Sequence, residues 1–265
     1  MDLPNRWTPG TVDVDGTTLQ CYRTGDGPPL VFAHGMFDNG RRWIPLGNDL
    51  ADDYEVVTFD ARGHGRSDAP ADGYDIDTRI ADLVGLLDGL GLDAPVVIGH
   101  SMGGATAAWA AATYPERFRG LVLVDPARFH PAPEIDPDEA AEQARDRLQS
   151  MQSQPIDERI ADHYADLDCD EDHRRRLAAA VDECSPHIAN LAQEHPPVRD
   201  ALGDIACPTL LLRRDAGTEA RVRDRDAAQR LTDGRLVHVP DAGHYVFRDA
   251  PEAASAELRT FLARL

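Results

Sequence analysis

A serine hydroxyl attacks a carbonyl only where a neighbour takes its proton and other groups hold the negative charge that forms. The stretch with the most chemistry in it is therefore Val96-Val97-Ile98-Gly99-His100-Ser101-Met102-Gly103-Gly104. A β-branched run ends in Gly-His-Ser-Met-Gly, and an Ala-rich segment from Ala105 to Tyr114 follows before Pro115. That order predicts a buried strand, a sharp turn and a helix. In a G-x-S-x-G turn the serine sits on strained backbone with its hydroxyl exposed. Gly99 and Gly103 are needed because a Cβ at either place would collide across so tight a turn. The helix that follows aims its free N–H groups and the positive end of its dipole at the same place, where an oxyanion is stabilised. Ser101 is the expected nucleophile.

A serine is aimed by the strands around it. Val12 to Tyr22 alternates about Asp15-Gly16, a hairpin pattern. Leu30–Ala33, Glu55–Asp60, Val96–His100, Leu121–Val124, Thr209–Leu212 and Leu236–Val239 are short apolar runs that read as strands. Between them, Ile76, Ile80, Leu83, Val84 and Leu87 fall at helical spacing and Gly91 closes that helix. Ala254, Leu258, Phe261, Leu262 and Leu265 form the inward stripe of a terminal helix. Strands alternating with helices predict an α/β protein with a doubly wound, mostly parallel sheet covered on both faces. The pattern breaks after Pro126: polar helical segments punctuated at Pro137, Pro155, Pro186 and Pro196-Pro197 run to Ile205 without a strand. Residues 127–204 are read as a helical cap inserted over the strand ends, where α/β sheets bind ligands. Residues 1–126 and 205–265 then form the core.

His34-Gly35, the turn Asp60-x-Arg-Gly-x-Gly-x-Ser67, the Gly99-x-Ser-x-Gly103 elbow and Gly243-His244 occur in that order along the chain. Together they resemble the α/β-hydrolase superfamily essentially end to end. The resemblance implies an eight-stranded sheet and a triad in the chain order Ser, acid, His. His244, in Pro240-Asp-Ala-Gly-His-Tyr after the last strand, is the implied base. The residues after His34-Gly35 and after the nucleophile, Met36 and Met102, are the implied oxyanion donors through their backbone N–H groups. Two aspartates end strands in the right order for the acid. Asp215 follows the later strand, but relatives place the acid there in a Gly-x-x-Asp pattern, and here Arg214 stands for that Gly and Gly217 for that Asp. Asp125, 24 residues beyond Ser101, matches the branch that carries its acid after the earlier strand. Asp125 is preferred, with Asp215 as the alternative. His34 and His100 are expected to pack beside the oxyanion loop, and Arg62 and His64 to brace their turn.

A serine at the elbow implies acyl transfer to water: hydrolysis of a carboxylester, lactone or thioester, by a carboxylesterase-like enzyme acting on a small or medium acyl substrate. Hydrolytic C–C cleavage or a related lyase reaction, or a ligand receptor with negligible turnover, are the alternatives. An Asp there would be needed for epoxide or haloalkane chemistry. No G-x-x-x-x-G-K-[ST] loop is present, so nucleotide chemistry is excluded and no cofactor is implied. The cap histidines (His130, His163, His173, His187, His195) include no i, i+4 pair, and no metal is expected.

The composition narrows the setting. There are 47 Asp and Glu against 27 basic residues, a net charge of −20, and every basic residue is Arg. Such a chain repels nucleic acid and anionic membranes, and neither is an expected partner. The N-terminal stretch Met1-Asp-Leu-Pro-Asn-Arg lacks the basic start and apolar core of a signal peptide. Cys21, Cys169, Cys184 and Cys207 show no C-x-x-C spacing and are expected as free thiols. A cytoplasmic setting is the expectation. A GC-rich genome would replace Lys with Arg but would not raise the acid count, whereas a salt-filled cytoplasm accounts for the acid excess. Screening shortens from about 10 Å at 0.1 M to about 3 Å at 1 M salt. The melting temperature should therefore climb between dilute and molar KCl in a thermal scan, and a flat profile would contradict the halophile reading.

Overall fold

The computed structural model describes residues 3–132, 135–165, 167, 170–192 and 196–265. Cys169 and His195 lie outside the described residues. The strands are β1 (Thr8–Val14), β2 (Thr17–Thr24), β3 (Pro29–Ala33), β4 (Glu55–Phe59), β5 (Val96–His100), β6 (Gly120–Val124), β7 (Thr209–Arg213) and β8 (Gly234–His238). The helices are α1 (Ile44–Leu50), α2 (Ile76–Leu90), α3 (Met102–Thr113), α4 (Pro137–Ser153), α5 (Ile156–His163), α6 (Glu171–Ala179), α7 (Val198–Ala201), α8 (Thr218–Ala228), α9 (Val246–Asp249) and α10 (Pro251–Leu262).

The eight strands form one sheet in the order β1-β2-β4-β3-β5-β6-β7-β8. β2 is antiparallel to β1 and β4, and every pair from β4 through β8 is parallel. The expected hairpin closes with Asp15 at φ 49° and Gly16 at φ 79°, so Val14 faces Thr17 across a two-residue turn of the kind that matches strand twist. Alternation along the strands feeds two cores. Val31, Val57, Val97, Leu121, Leu123 and Leu211 point to one face, where α2, α3 and α8 cover them. Leu30, Phe32, Val96, Ile98, Val122, Val124, Leu210 and Leu212 point to the other, under α1 and α10. A sheet buried on both sides needs such continuous apolar strands.

The crossing between β3 and its neighbours β4 and β5 is what brings the loops after β3, β5 and β6 together at the carboxyl ends of the strands. Between β6 and β7 the described residues contain helices and no strand, α4 to α7. This segment is tied to the sheet at several points. Ser185 donates its N–H to the Gly63 carbonyl (2.8 Å), Glu183 pairs with buried Arg41, and Asn39 reaches the same carboxylate (3.0 Å). Tyr74, Leu148, Val181, Cys184 and Ile188 make a third apolar cluster, against which Met36 and Phe37 pack. Among the described residues no helix is long and apolar enough to cross a membrane.

Candidate active site

Ser101 sits between β5 and α3 at φ 51°, ψ −112°. A residue with a side chain held at positive φ stores on the order of 1–3 kcal/mol of strain, which the surrounding bonds must outweigh. Its N–H donates to the Val124 carbonyl (3.0 Å) at the end of β6, its carbonyl accepts from Ala127 (2.9 Å), and Gly103 donates to the His34 carbonyl (3.1 Å) after β3. The turn is thus hydrogen-bonded to both flanking strand ends. Neither of its glycines has room for a side chain: a Cβ on Gly99 would lie 2.5 Å from the Gly103 carbonyl oxygen, and one on Gly103 within 2.6 Å of the Ala33 backbone.

His244 occupies the turn between β8 and α9. The Ser101 hydroxyl reaches its Nε2 at 3.0 Å, and its Nδ1 lies 2.6 Å from Asp125 Oδ2. A carboxylate only accepts, so Nδ1 carries the proton and Nε2 keeps its lone pair toward the serine. Asp125 is wholly buried just past β6, at φ 39°, with its N–H on the Leu212 carbonyl (2.8 Å). Burial pushes its carboxyl up, but the His244 hydrogen bond and the Arg213 and Arg214 guanidiniums outweigh burial and hold it below the ordinary range. Asp215 is placed differently. It is exposed, pairs with Arg221, and accepts from the N–H groups of Ala216 (2.7 Å) and Asp241 (3.2 Å).

Met102 opens α3, so its N–H is among the donors that a helix start leaves without an intrahelical partner. Met36 follows Gly35, where an added Cβ would lie 3.2 Å from the Ser101 Cβ. The two expected oxyanion donors therefore flank the serine on the loops after β3 and β5, strands that are neighbours in the sheet. His34 donates from Nδ1 to the Gly35 carbonyl (2.7 Å) and accepts from Ala61 N–H at Nε2 (2.9 Å), joining the loops after β3 and β4. His100 donates from Nε2 to the His244 carbonyl (2.9 Å), and the two rings lie 4.8 Å apart. Burial first, then the charge of Arg42, pushes His100 well below the ordinary histidine range, so it holds the His244 turn as a neutral donor. Arg62 makes two 2.5 Å bonds to Asp82, and His64 Nδ1 donates to the Arg62 carbonyl (2.9 Å), which braces the turn after β4.

Several residues at the site escaped the sequence reading. Arg213, the last residue of β7, and Arg214 after it grip Asp125 from Oδ1 and Oδ2, each at 2.7 Å. The signal was present in the Arg that replaces the expected Gly. Asp38 pairs with Arg42, whose guanidinium lies over Trp43 (5.1 Å) and over Tyr245 (5.3 Å), the residue after His244. A cavity of about 260 Å³ beside this stack is walled by Trp43, Leu46, His173, Leu177 and Phe247; neither Ser101 nor His244 lines it. Among the described residues no group of three or more His, Cys, Asp or Glu side chains is placed to hold a metal ion.

Hydroxyl, imidazole and buried carboxylate in one line can pass a proton from Ser101 to His244 while Asp125 fixes the imidazole tautomer. Asp125→Asn should slow phosphonylation of Ser101 by a fluorophosphonate about 10³–10⁴-fold, the order expected when a triad loses its orienting acid. Asp215→Asn should leave that rate within a few-fold. Mass-spectrometric labelling time courses check both, and a dead Asp215 variant beside a competent Asp125 variant would reverse the assignment.

A family model described as the alpha/beta hydrolase fold matches residues 28–173. The 2-(acetamidomethylene)succinate hydrolase of Mesorhizobium japonicum is 28% identical over 262 residues, covering 95% of this chain and 94% of its own. The 3-oxoadipate enol-lactonase 2 of Acinetobacter baylyi is 36% identical over 106 residues, 40% of each chain. A crystal structure of E-2-(acetamidomethylene)succinate hydrolase superimposes with a TM-score of 0.76 at 25% identity, over 97% of this chain and 99% of that one. The family match takes in more than half of the chain, from just before β3 through Ser101 to α6, and the chain belongs to the alpha/beta hydrolase family.

Proposed function

We propose that this protein is a serine hydrolase that cleaves an ester-type bond, carboxylester, lactone or thioester, through an acyl-enzyme on Ser101. The observation that carries the reading is the unbroken path from the Ser101 hydroxyl to His244 Nε2 (3.0 Å) and from His244 Nδ1 to Asp125 (2.6 Å). Ser101 Oγ adds to the substrate carbonyl carbon and gives its proton to His244 Nε2. The carbonyl electron pair moves onto oxygen, where the N–H groups of Met36 and Met102 receive it; such donors are worth about 3–4 kcal/mol each in the transition state. When the oxyanion collapses, the bond to the leaving oxygen or sulfur breaks and the imidazolium returns the proton to it. Water then adds to the acyl carbon with His244 as base again; when this second oxyanion collapses, the acyl carbon–Oγ bond breaks, the imidazolium returns its proton to Ser101 Oγ and the carboxylic acid leaves. Asp125 stays ionised throughout and stabilises the imidazolium.

In this reading residues 127–204 are a cap that shapes the acyl site, with Met36 and Phe37 on its apolar floor. The expected setting is a salt-rich cytoplasm, which the acid excess supports. The partner is a small-molecule acyl substrate, and no cofactor enters the scheme. The full-length relative is named as a hydrolase of a substituted succinate and the partial one as an enol-lactonase, which supports hydrolysis of an activated acyl group. Hydrolytic C–C cleavage is a second reading. It is favoured by the polar Asp38–Arg42 pair and Tyr245 beside His244.

A series of p-nitrophenyl acyl esters tests the proposal. Wild-type protein should release p-nitrophenol with a preference for one chain length, and Ser101→Ala should lower kcat by about 10⁴-fold or more while keeping its fold. A tenth of the activity surviving in Ser101→Ala would refute the nucleophile assignment. Rapid covalent labelling of Ser101 without turnover of any ester would instead favour a receptor.

A further inference from the structure

Asp125 has no exposed surface. A carboxylate buried alone takes up a proton instead of staying charged. Once neutral, it would no longer distinguish the two tautomers of His244. Here Oδ1 accepts from Arg213 Nη1 (2.7 Å), and Oδ2 accepts both from His244 Nδ1 (2.6 Å) and from Arg214 Nη2 (2.7 Å). The two arginines are held differently. Arg213 is buried, its guanidinium lies 4.5 Å from the centroid of the Phe129 ring, and its Nε donates to Asp224 Oδ2 (3.0 Å). Asp224 in turn meets His130 Nε2 (2.6 Å) and His238 Nε2 (2.9 Å). Arg214 is half exposed and shares the very oxygen that faces the imidazole.

We propose that Arg213 and Arg214 are positioning residues of the triad: Arg213 anchors the carboxylate of Asp125, and Arg214 draws charge from the oxygen that holds His244. The inference rests on the hydrolase reading of Ser101 and extends it. Among the described residues, charged and titratable groups bonded to Asp125 are His244 from the turn after β8 and Arg213 and Arg214 from the end of β7, with Asp224 of α8, His130 and His238 behind Arg213. His100 from β5 meets His244 from its other side as a neutral donor. Arg214 is therefore the nearest charge to the Asp125–His244 contact that faces solvent. With it gone, Asp125 attracts the protonated imidazole more strongly, and a higher pH is needed to free the base. Arg213 lies on the far oxygen, so its loss should loosen the carboxylate and mainly slow the chemical step.

The experiment is the pH dependence of fluorophosphonate labelling at Ser101, which needs no knowledge of the substrate. For Arg214→Gln the pH of half-maximal labelling should rise by about half to one unit. Arg214→Lys should restore it, because charge is what matters at that position. Arg213→Gln should lower the plateau rate at least about tenfold if it folds, with Arg213→Lys recovering part of the loss. With p-nitrophenyl esters, Arg213→Lys should lose kcat and not KM. A reduced melting temperature in Arg214→Gln with an unmoved midpoint would make the contact merely structural and overturn the proposal. So would a midpoint in Arg214→Lys that stays with Gln. Failure of the wild type to label at all would overturn the hydrolase reading together with this one; labelling by the wild type with unmoved midpoints would sink the clamp alone.

Discussion

Everything at the site depends on how little space the chain has where β5 turns into α3. Gly99 and Gly103 approach so closely that neither tolerates a Cβ, and Ser101 is forced to φ 51° between them. Strain of this kind persists only when neighbouring bonds over-determine it. They do so here from both sides: Ser101 N–H on Val124, Ala127 N–H on Ser101, and Gly103 N–H on His34. The parallel order of β3, β5 and β6 places those partners, because adjacent parallel strands end at the same side of the sheet. The same bonds set the loop of Met36 and the loop of Asp125 against the serine, so a single backbone constraint brings Ser101 together with the segments that carry Met36, Met102 and Asp125.

The second constraint is charge taken out of water. Asp60 and Asp125 both have no exposed surface, and they follow β4 and β6 of the same sheet, with β3 and β5 between them. Their partners differ. Asp60 is served by Tyr22 hydroxyl (2.9 Å) and by the N–H groups of Gly40 (2.8 Å) and Arg66 (2.9 Å). For Asp60, burial outweighs those neutral donors and its carboxyl titrates above the ordinary range. At Asp125, guanidiniums and the His244 hydrogen bond reverse the balance. Removing one partner of such a buried charge costs far more than the pair itself contributes, which is why both sets of donors are complete. Asp125 thus has two guanidiniums on its carboxylate, whereas the hydrogen-bond partners of Asp60 are a hydroxyl and backbone N–H groups.

What could be read from the sequence follows what is local. Six strands announce themselves through apolar runs between turn residues, the first two through alternation about Asp15-Gly16, and the serine and its two glycines through a nine-residue pattern. His244 follows from its turn after the last strand. The sequence leaves the acid between two residues because its choice depends on how distant segments meet: Arg213 reaches Asp125 across 88 residues. In the sequence Arg214 is only a departure from Gly-x-x-Asp, whereas in the structure its guanidinium lies on Asp125. Likewise Arg41 and Glu183, 142 residues apart, join the loop after β3 to the helical segment, and nothing in either local sequence points to the other.

The central claim is covalent chemistry at Ser101, and the acyl-enzyme itself is the most direct thing to measure. Every basic residue is Arg, so a tryptic digest cuts only after Arg and releases Ile80–Arg117, in which Ser101 is the only serine. Protein mixed with a saturating p-nitrophenyl ester, acid-quenched during the first turnovers and digested should show this peptide heavier by one acyl group, with fragment ions placing the added mass on Ser101. Steady release of p-nitrophenol with that peptide unmodified throughout, or with the acyl group on another residue, would contradict the account.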